Sequence, residues 1–204
     1  LPAYKEIQNN GASVCIWEIT ETLAELESLY FGDEIPPDNA PEQREKEWYA
    51  SRLALQVATG IPHLTIKKDE FGKPQIPNVP GFVSLSHTVR FTAAIFHPEK
   101  VVGIDLEHMT PRIERIARRF VHDSEKAWMR APSSLEELYL IWCTKEAVFK
   151  RYGSKAVDFK NHIQVLKTDI STNQGNFKFD SHKEKIEADL GYYLIFDDHF
   201  MVWL

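Results

Sequence analysis

Gly103-Ile104-Asp105-Leu106-Glu107, followed further along by Trp142-Cys143-Thr144-Lys145-Glu146-Ala147-Val148-Phe149-Lys150, decides how the rest of this chain is read. In the first stretch two carboxylates close an apolar run with one residue between them. On a strand both point to one face. In the second, an acid and two lysines lie within a pattern of helical period. Three acids that converge make an oxygen-rich site for a hard divalent cation, and lysines beside them suit phosphate oxygens. The pair of stretches points to metal-assisted phosphoryl-type chemistry.

Each piece has a plainer reading when taken alone. Asp105 and Glu107 fit a strand end whose acids face water. Glu146 and Lys150 fit a helix-surface ion pair worth a few tenths of a kcal/mol. Neither reading accounts for Lys145. At 3.6 residues per turn, Leu138, Trp142, Lys145 and Phe149 share one stripe, which puts an ammonium in the apolar face. A charge there is costly unless paired.

Composition narrows the class. The chain has 204 residues, 43% of them hydrophobic and 26% charged, as expected of an ordinary globular protein. Its net charge of −6 and pI near 5.8 argue against general nucleic-acid binding, which shows as a basic domain. An anionic ligand would need a locally basic pocket. No apolar run reaches the length of a membrane span, and the N-terminus lacks a signal-peptide pattern, so no membrane association is expected. Cys15 and Cys143 are too few for a disulfide framework or a zinc site, which favours a reducing, cytoplasmic setting.

Along the chain the pattern predicts strands over 14–19, 64–67, 82–86, 91–96 and 101–107. It predicts helices over 22–29, 41–58, 111–120, 124–129 and 134–152, with Pro41 opening the second and Gly153 closing the last. The tail reads as strands over 162–167, 176–179, 185–188, 192–196 and 200–204. The fold class is therefore α+β, with two similar α+β halves over 1–99 and 100–204, the second carrying the acids.

Two further stretches carry polar groups suited to phosphate. Ser84-Leu85-Ser86-His87-Thr88 reads either as a hydroxyl-rich turn or as a cradle of backbone N–H, serine hydroxyl and imidazole. Phe71-Gly72-Lys73-Pro74 reads as a turn, or as a rigid loop presenting a lysine to a nucleotide. No nucleophile-elbow glycines surround either serine, which disfavours a hydrolase triad.

In this order the pieces resemble the 4′-phosphopantetheinyl transferases of the single-chain, Sfp-like group, over roughly 44–153. The elements that carry the resemblance are Gly72-Lys73-Pro74, Ser84-Leu85-Ser86-His87, Gly103-Ile104-Asp105-Leu106-Glu107 and Trp142-Cys143-Thr144-Lys145-Glu146-Ala147 with Lys150. The resemblance implies a pseudo-twofold pair of α+β subdomains with the active site in the cleft between them, and a monomer. It implies transfer of the phosphopantetheine arm of coenzyme A to a serine of an acyl or peptidyl carrier protein, with release of 3′,5′-ADP. By motif position Asp105, Glu107 and Glu146 hold magnesium, with manganese as the alternative. Glu146, or a water on the ion beside it, takes the serine proton. Asp105 and Lys150 complete the catalytic set. Lys150 and His87 contact the pyrophosphate, Ser86 helps seat a phosphate, and Lys73 and Pro74 lie near the nucleotide. Lys145 is read instead as structural, pinning the helix to the acids. Arg44 and Arg52 either reach the 3′-phosphate or line a solvated helix face.

A partner surface is also legible. In the helix expected over 111–120, Arg112, Arg115 and Arg119 share one side with Arg118 at its edge, and Ile113, Ile116 and Phe120 share another. An amphipathic helix with a solvated basic face explains this pattern. Under the resemblance, Arg112, Arg115, Ile116, Arg119 and Phe120 face the acidic helix of a carrier protein. Two rivals stay open: a metal-dependent phosphodiesterase acting on coenzyme A or a nucleotide, and a non-catalytic carrier-binding module on the same fold.

Overall fold

The computed structural model describes residues 5–32, 34–70, 72–152, 157–168, 170–180 and 185–204. Phe71 and Gly153, both named above, lie outside that set. The chain divides into two compact units, Leu1–Ile104 and Asp105–Leu204, with the division inside the acid-bearing strand rather than at residue 99. Both units are mixed α+β.

The first unit runs β1 (Lys5–Asn9), β2 (Ala12–Glu18), α1 (Leu23–Leu29), α2 (Glu42–Thr59), β3 (Lys67–Lys68), β4 (Pro74–Gln75), β5 (Phe82–His87) and β6 (Phe91–His97). Its main sheet is antiparallel in the order β1-β2-β6-β5. Strand β1 escapes sequence reading because Lys5-Glu6-Ile7-Gln8-Asn9 is polar and half exposed, the composition of an edge strand. Helix α1 starts at a capping box in which Thr22 accepts from the Glu25 amide and Glu25 accepts from the Thr22 amide. Helix α2 follows Pro41 and ends at Gly60, whose φ of +68° is the left-handed cap that glycine adopts without strain. It packs on β2 and β6, so Leu53, Ala54 and Tyr49 join Trp17, Cys15 and Leu26 in the core. The strand expected over 64–67 is different. Leu64 and Ile66 are buried, but only Lys67–Lys68 pairs, with Pro74–Gln75.

The second unit runs β7 (Ile104–His108), a 3₁₀ helix (Pro111–Arg115), α3 (Ala117–Phe120), α4 (Asp123–Lys126), α5 (Leu135–Tyr152), β8 (Ile163–Val165), a 3₁₀ turn (Ile170–Thr172), β9 (Gln174–Asp180), β10 (Lys185–Phe196) and β11 (His199–Trp203). The sheet order is β7-β11-β10-β9-β8. Two tail strands expected over 185–188 and 192–196 are one strand with a register shift between Ile186 and Asp189. Such a shift is a bulge, which interrupts the period-2 pattern without ending the strand. Helix α5 opens with Ser134 Oγ accepting the Glu137 amide at 3.2 Å while Glu137 Oε2 accepts the Ser134 amide at 3.0 Å. It packs on β11 and β8, placing Leu138, Ile141 and Ala147 in a core with Phe200 and Val202. No helix among the described residues is long and apolar enough to cross a membrane.

The helix expected over 111–120 is broken. Pro111–Arg115 is 3₁₀ and only Ala117–Phe120 is α-helical, with Ile116 between them. Ile113 and Phe120 go to the core, and Phe120 packs on Trp142 at a ring separation of 5.1 Å. Phe120 is thus a core residue and not a partner contact. Arg112, Arg115, Ile116 and Arg119 stay exposed.

Candidate functional site

Strand β7 alternates its side chains, so Asp105 and Glu107 share a face while Ile104 and Leu106 are buried on the other. Asp105 is itself buried at 4% exposure, and Lys150 Nζ reaches its Oδ1 at 2.8 Å. Lys150 lies one turn beyond Glu146 on α5. Glu107 Oε1 accepts the indole N–H of Trp142 at 3.1 Å. That indole stacks on Phe159 and tilts against Phe120, so its donor has a fixed direction. Sequence reading took Trp142 only as an apolar-face residue. A tryptophan four residues before an acid on the site helix is the one signal that could have marked it.

The electrostatics of this face are those of crowded carboxylates. Burial is the main cause that pushes the Glu146 carboxyl up to about 7. The charge of Asp105 adds to it, Lys150 works against it, and Glu107 adds less. Glu107 is raised chiefly by burial and then by Asp105, with the Trp142 hydrogen bond and Lys150 opposing. The Cys143 thiol is pushed well up by burial first, then by Asp105 and Glu107, so it is no nucleophile. Among the described residues no group of three or more His, Cys, Asp or Glu side chains stands ready to hold a metal ion. In donor type alone, Asp105, Glu107 and Glu146 suit one. Three carboxylates and a single lysine leave negative charge in excess, and oxygen-only donors suit a hard cation rather than zinc.

Trp142→Phe keeps the aromatic packing and deletes one donor to Glu107. We expect it to raise the Glu107 carboxyl further and to weaken magnesium binding by roughly tenfold. Isothermal titration with magnesium alone measures this; unchanged affinity would remove Trp142 from the site.

Lys145 does not reach the strand acids. It is wholly buried, and its ammonium lies 2.6 Å from the Phe120 carbonyl and 3.0 Å from the Glu125 carboxylate. Glu125, equally buried, also accepts the amides of Val165 at 2.8 Å and His122 at 2.6 Å. Burial lowers the Lys145 pKa and raises that of Glu125, and their mutual attraction opposes both shifts. The expectation that Lys145 pins α5 to Asp105 or Glu107 is corrected: it pins α5 to α3 and α4, and Glu125 carries the tie on to β8.

In the first unit His87 ends β5 with its ring partly exposed. Its Nε2 lies 3.2 Å from Glu47 Oε2 and 3.0 Å from Arg44 Nη1. Ser84 and Ser86 are buried on the face of the same strand opposite Val83 and Leu85, and Ser84 Oγ accepts the Ile104 amide at 3.2 Å. Strand alternation therefore aims the Ser86 hydroxyl and the His87 ring to opposite sides, where the sequence suggested one turn-borne cradle. Lys73 and Pro74 lie in a tight reversal in which Asp69 Oδ1 accepts the Lys73 amide at 2.9 Å. Gly72 has a φ of +83° there. Arg52 is committed within its own unit: its guanidinium stacks 3.4 Å over the Trp48 ring and bonds Glu34 at 3.3 Å, with little exposure. That leaves Arg44, 63% exposed, as the helix arginine facing solvent.

The fold and these groups define an α+β protein whose second unit carries Asp105, Glu107 and Glu146 with Lys150 on neighbouring elements. Comparison with known proteins is specific. The sequence profile of the 4'-phosphopantetheinyl transferase superfamily matches residues 101–199, which include β7 and α5. The chain is 34% identical over 132 residues to the 4'-phosphopantetheinyl transferase AcpT of Escherichia coli (strain K12), covering 60% of this chain and 67% of that one. It is 33% identical over 107 residues to the 4'-phosphopantetheinyl transferase Sfp of Bacillus subtilis (strain 168), covering 50% of this chain and 47% of that one. A third relative, the 4'-phosphopantetheinyl transferase gsp of Aneurinibacillus migulanus, is 29% identical over 109 residues, covering 50% and 44%. The chain thus spans about two thirds of AcpT and about half of Sfp and gsp. It belongs to the 4'-phosphopantetheinyl transferase superfamily.

Proposed function

We propose that this protein moves the phosphopantetheine arm of coenzyme A onto a serine of an acyl or peptidyl carrier protein. The serine oxygen attacks the phosphorus that bears the pantetheine arm. The bond from that phosphorus to the bridging oxygen breaks, and 3′,5′-ADP leaves with its electron pair. The observation that carries this reading is the pair of Lys150 and Asp105, 2.8 Å apart on the helix and strand that also bear Glu146 and Glu107. Glu146, one turn before Lys150, would take the serine proton.

Lys150 would stabilise the negative charge that builds on the diphosphate oxygens. Asp105, Glu107 and Glu146 would hold magnesium, or manganese, which when bound neutralises that same charge. Trp142 orients Glu107. His87 and Arg44 of the first unit would take phosphates of coenzyme A, with Lys73 and Pro74 near its nucleotide end. Ser86 is buried and Arg52 is held by Glu34 and Trp48, which leaves both less suited to meet the ligand directly. The exposed set Arg112, Arg115, Ile116 and Arg119 fits an acidic carrier helix. One main sheet and one long helix in each unit support reading the two as diverged copies of one plan. A chain holding both copies needs no second subunit, so we expect a monomer. With Cys15 and Cys143 both free and buried, we expect a reducing, cytoplasmic setting.

Intact-mass spectrometry of an apo carrier protein, incubated with this protein, coenzyme A and magnesium, tests the reading. The carrier should gain one phosphopantetheine arm, and EDTA should suppress the gain. Coenzyme A consumed without carrier modification would favour the phosphodiesterase. Neither event, with several carriers, would leave a binding module.

A further inference from the structure

Glu47 has no place in the chemistry just described, yet it organises two residues that do. Its side chain is 7% exposed on α2, and three polar groups converge on it. Gln43 Nε2 reaches Oε1 at 3.2 Å, and Arg44 Nη1 and His87 Nε2 reach Oε2 at 3.0 and 3.2 Å. Gln43 also donates to the Val89 carbonyl at 2.9 Å, which ties the cluster to the turn after β5.

The distances around His87 Nε2 impose a choice. A guanidinium N–H only donates and an ionised carboxylate only accepts. If Nε2 carries the lone pair, it accepts from Arg44 at 3.0 Å but turns that lone pair on Glu47 at 3.2 Å. If Nε2 carries the proton, it donates to Glu47, and its approach to Arg44 sets donor against donor. The second conflict is cheap to relieve, because Arg44 is long and mostly exposed. The first is not, because Glu47 is buried and held by Gln43.

We propose that Glu47 is a positioning residue. Its carboxylate accepts the Nε2–H of His87 and the guanidinium of Arg44 together, and so presents both to an anionic phosphate ligand in one fixed arrangement. A single buried acid orders two partly exposed donors, so the ligand need not freeze them itself. The role in ligand binding rests on the reading of His87 and Arg44 as phosphate contacts.

The test pairs a spectroscopic readout with binding. Ring ¹⁵N shifts of His87 should show the Nε2–H form in the unaltered protein and lose it in Glu47→Gln. Titration with 3′,5′-ADP should weaken about tenfold in Glu47→Gln, and Glu47→Asp should recover part of the loss. In the same variant the KM for coenzyme A should rise while kcat changes little. In a His87→Ala background, Glu47→Gln should cost much less than it does alone. An Nδ1–H tautomer in the unaltered protein, or ¹⁵N shifts and 3′,5′-ADP affinity both unmoved by Glu47→Gln, would overturn the proposal. Should Glu47→Gln fold poorly, Glu47→Asp and the tautomer of the unaltered protein decide it. If the tautomer and affinity effects appear but no carrier is ever modified, Glu47 keeps its role and the transferase reading fails.

Discussion

Glu146→Gln is expected to cut carrier modification by about a thousandfold or more and, in EDTA at pH 8, to make the protein more stable. The loss of rate follows from removing the proposed general base, a contribution of roughly 10² to 10⁴. The gain in stability follows from the same crowding that suits the group to its task. Its carboxyl sits near 7 in the folded protein, against 4.5 as its ordinary value. Between those two values the folded protein keeps a proton that the unfolded chain has released. Stability therefore falls as pH rises through this window, and the loss is complete above about 7. Glutamine cannot ionise and escapes that loss, which is on the order of 1–3 kcal/mol after allowance for solvent screening. Urea unfolding at pH 4 and pH 8 should show the two proteins alike at the lower pH and separated at the higher. Magnesium should then stabilise the unaltered protein at pH 8 and the variant much less. Normal turnover by the variant would strip Glu146 of its role.

The second large effect is structural. Glu125→Ala should destabilise the protein by about 3–5 kcal/mol, because it strands the wholly buried Lys145 ammonium and leaves two backbone amides without their acceptor. Against a typical total of about 5–15 kcal/mol, that is enough to unfold much of the population at physiological temperature. Replacing both partners by apolar residues, as in Lys145→Met with Glu125→Leu, should recover a large part of the loss, since neither charge is then buried alone. Thermal and urea denaturation followed by circular dichroism measure both. A loss under about 1 kcal/mol in Glu125→Ala would mean that solvent reaches Lys145.

The two predictions turn on Glu146 and on the partner of Lys145, neighbours in the motif, yet their grounds differ in legibility. The acids of β7 and the Glu146–Lys150 spacing follow from local period alone. So do the long helices, the first of them opened by Pro41; only the structure chooses Ser134 and Glu137 as the box that opens α5. That Lys145 needs a buried partner was also readable, because an ammonium in an apolar stripe cannot stand alone. Which acid serves was not: Glu125 is twenty residues away, in a four-residue helix with little periodicity to mark it. The broken segment around Ile116 misled for a related reason. Its helical spacing is sound, but the core claims Ile113 and Phe120 from it and the backbone yields as 3₁₀.

By itself, then, the linear chain determined the α+β alternation, the acid face of β7 and the acid-and-lysine face of α5. Those are consequences of side-chain direction within one element. Tertiary structure alone decided that Trp142 steers Glu107, that Glu125 holds Lys145, and that Glu47 gathers Arg44 and His87. Apart from Arg44 and Glu47, three residues apart on α2, each of those pairings joins groups from different elements. Packing selects the partner there, and a buried polar group takes whichever acceptor the fold brings within hydrogen-bond reach.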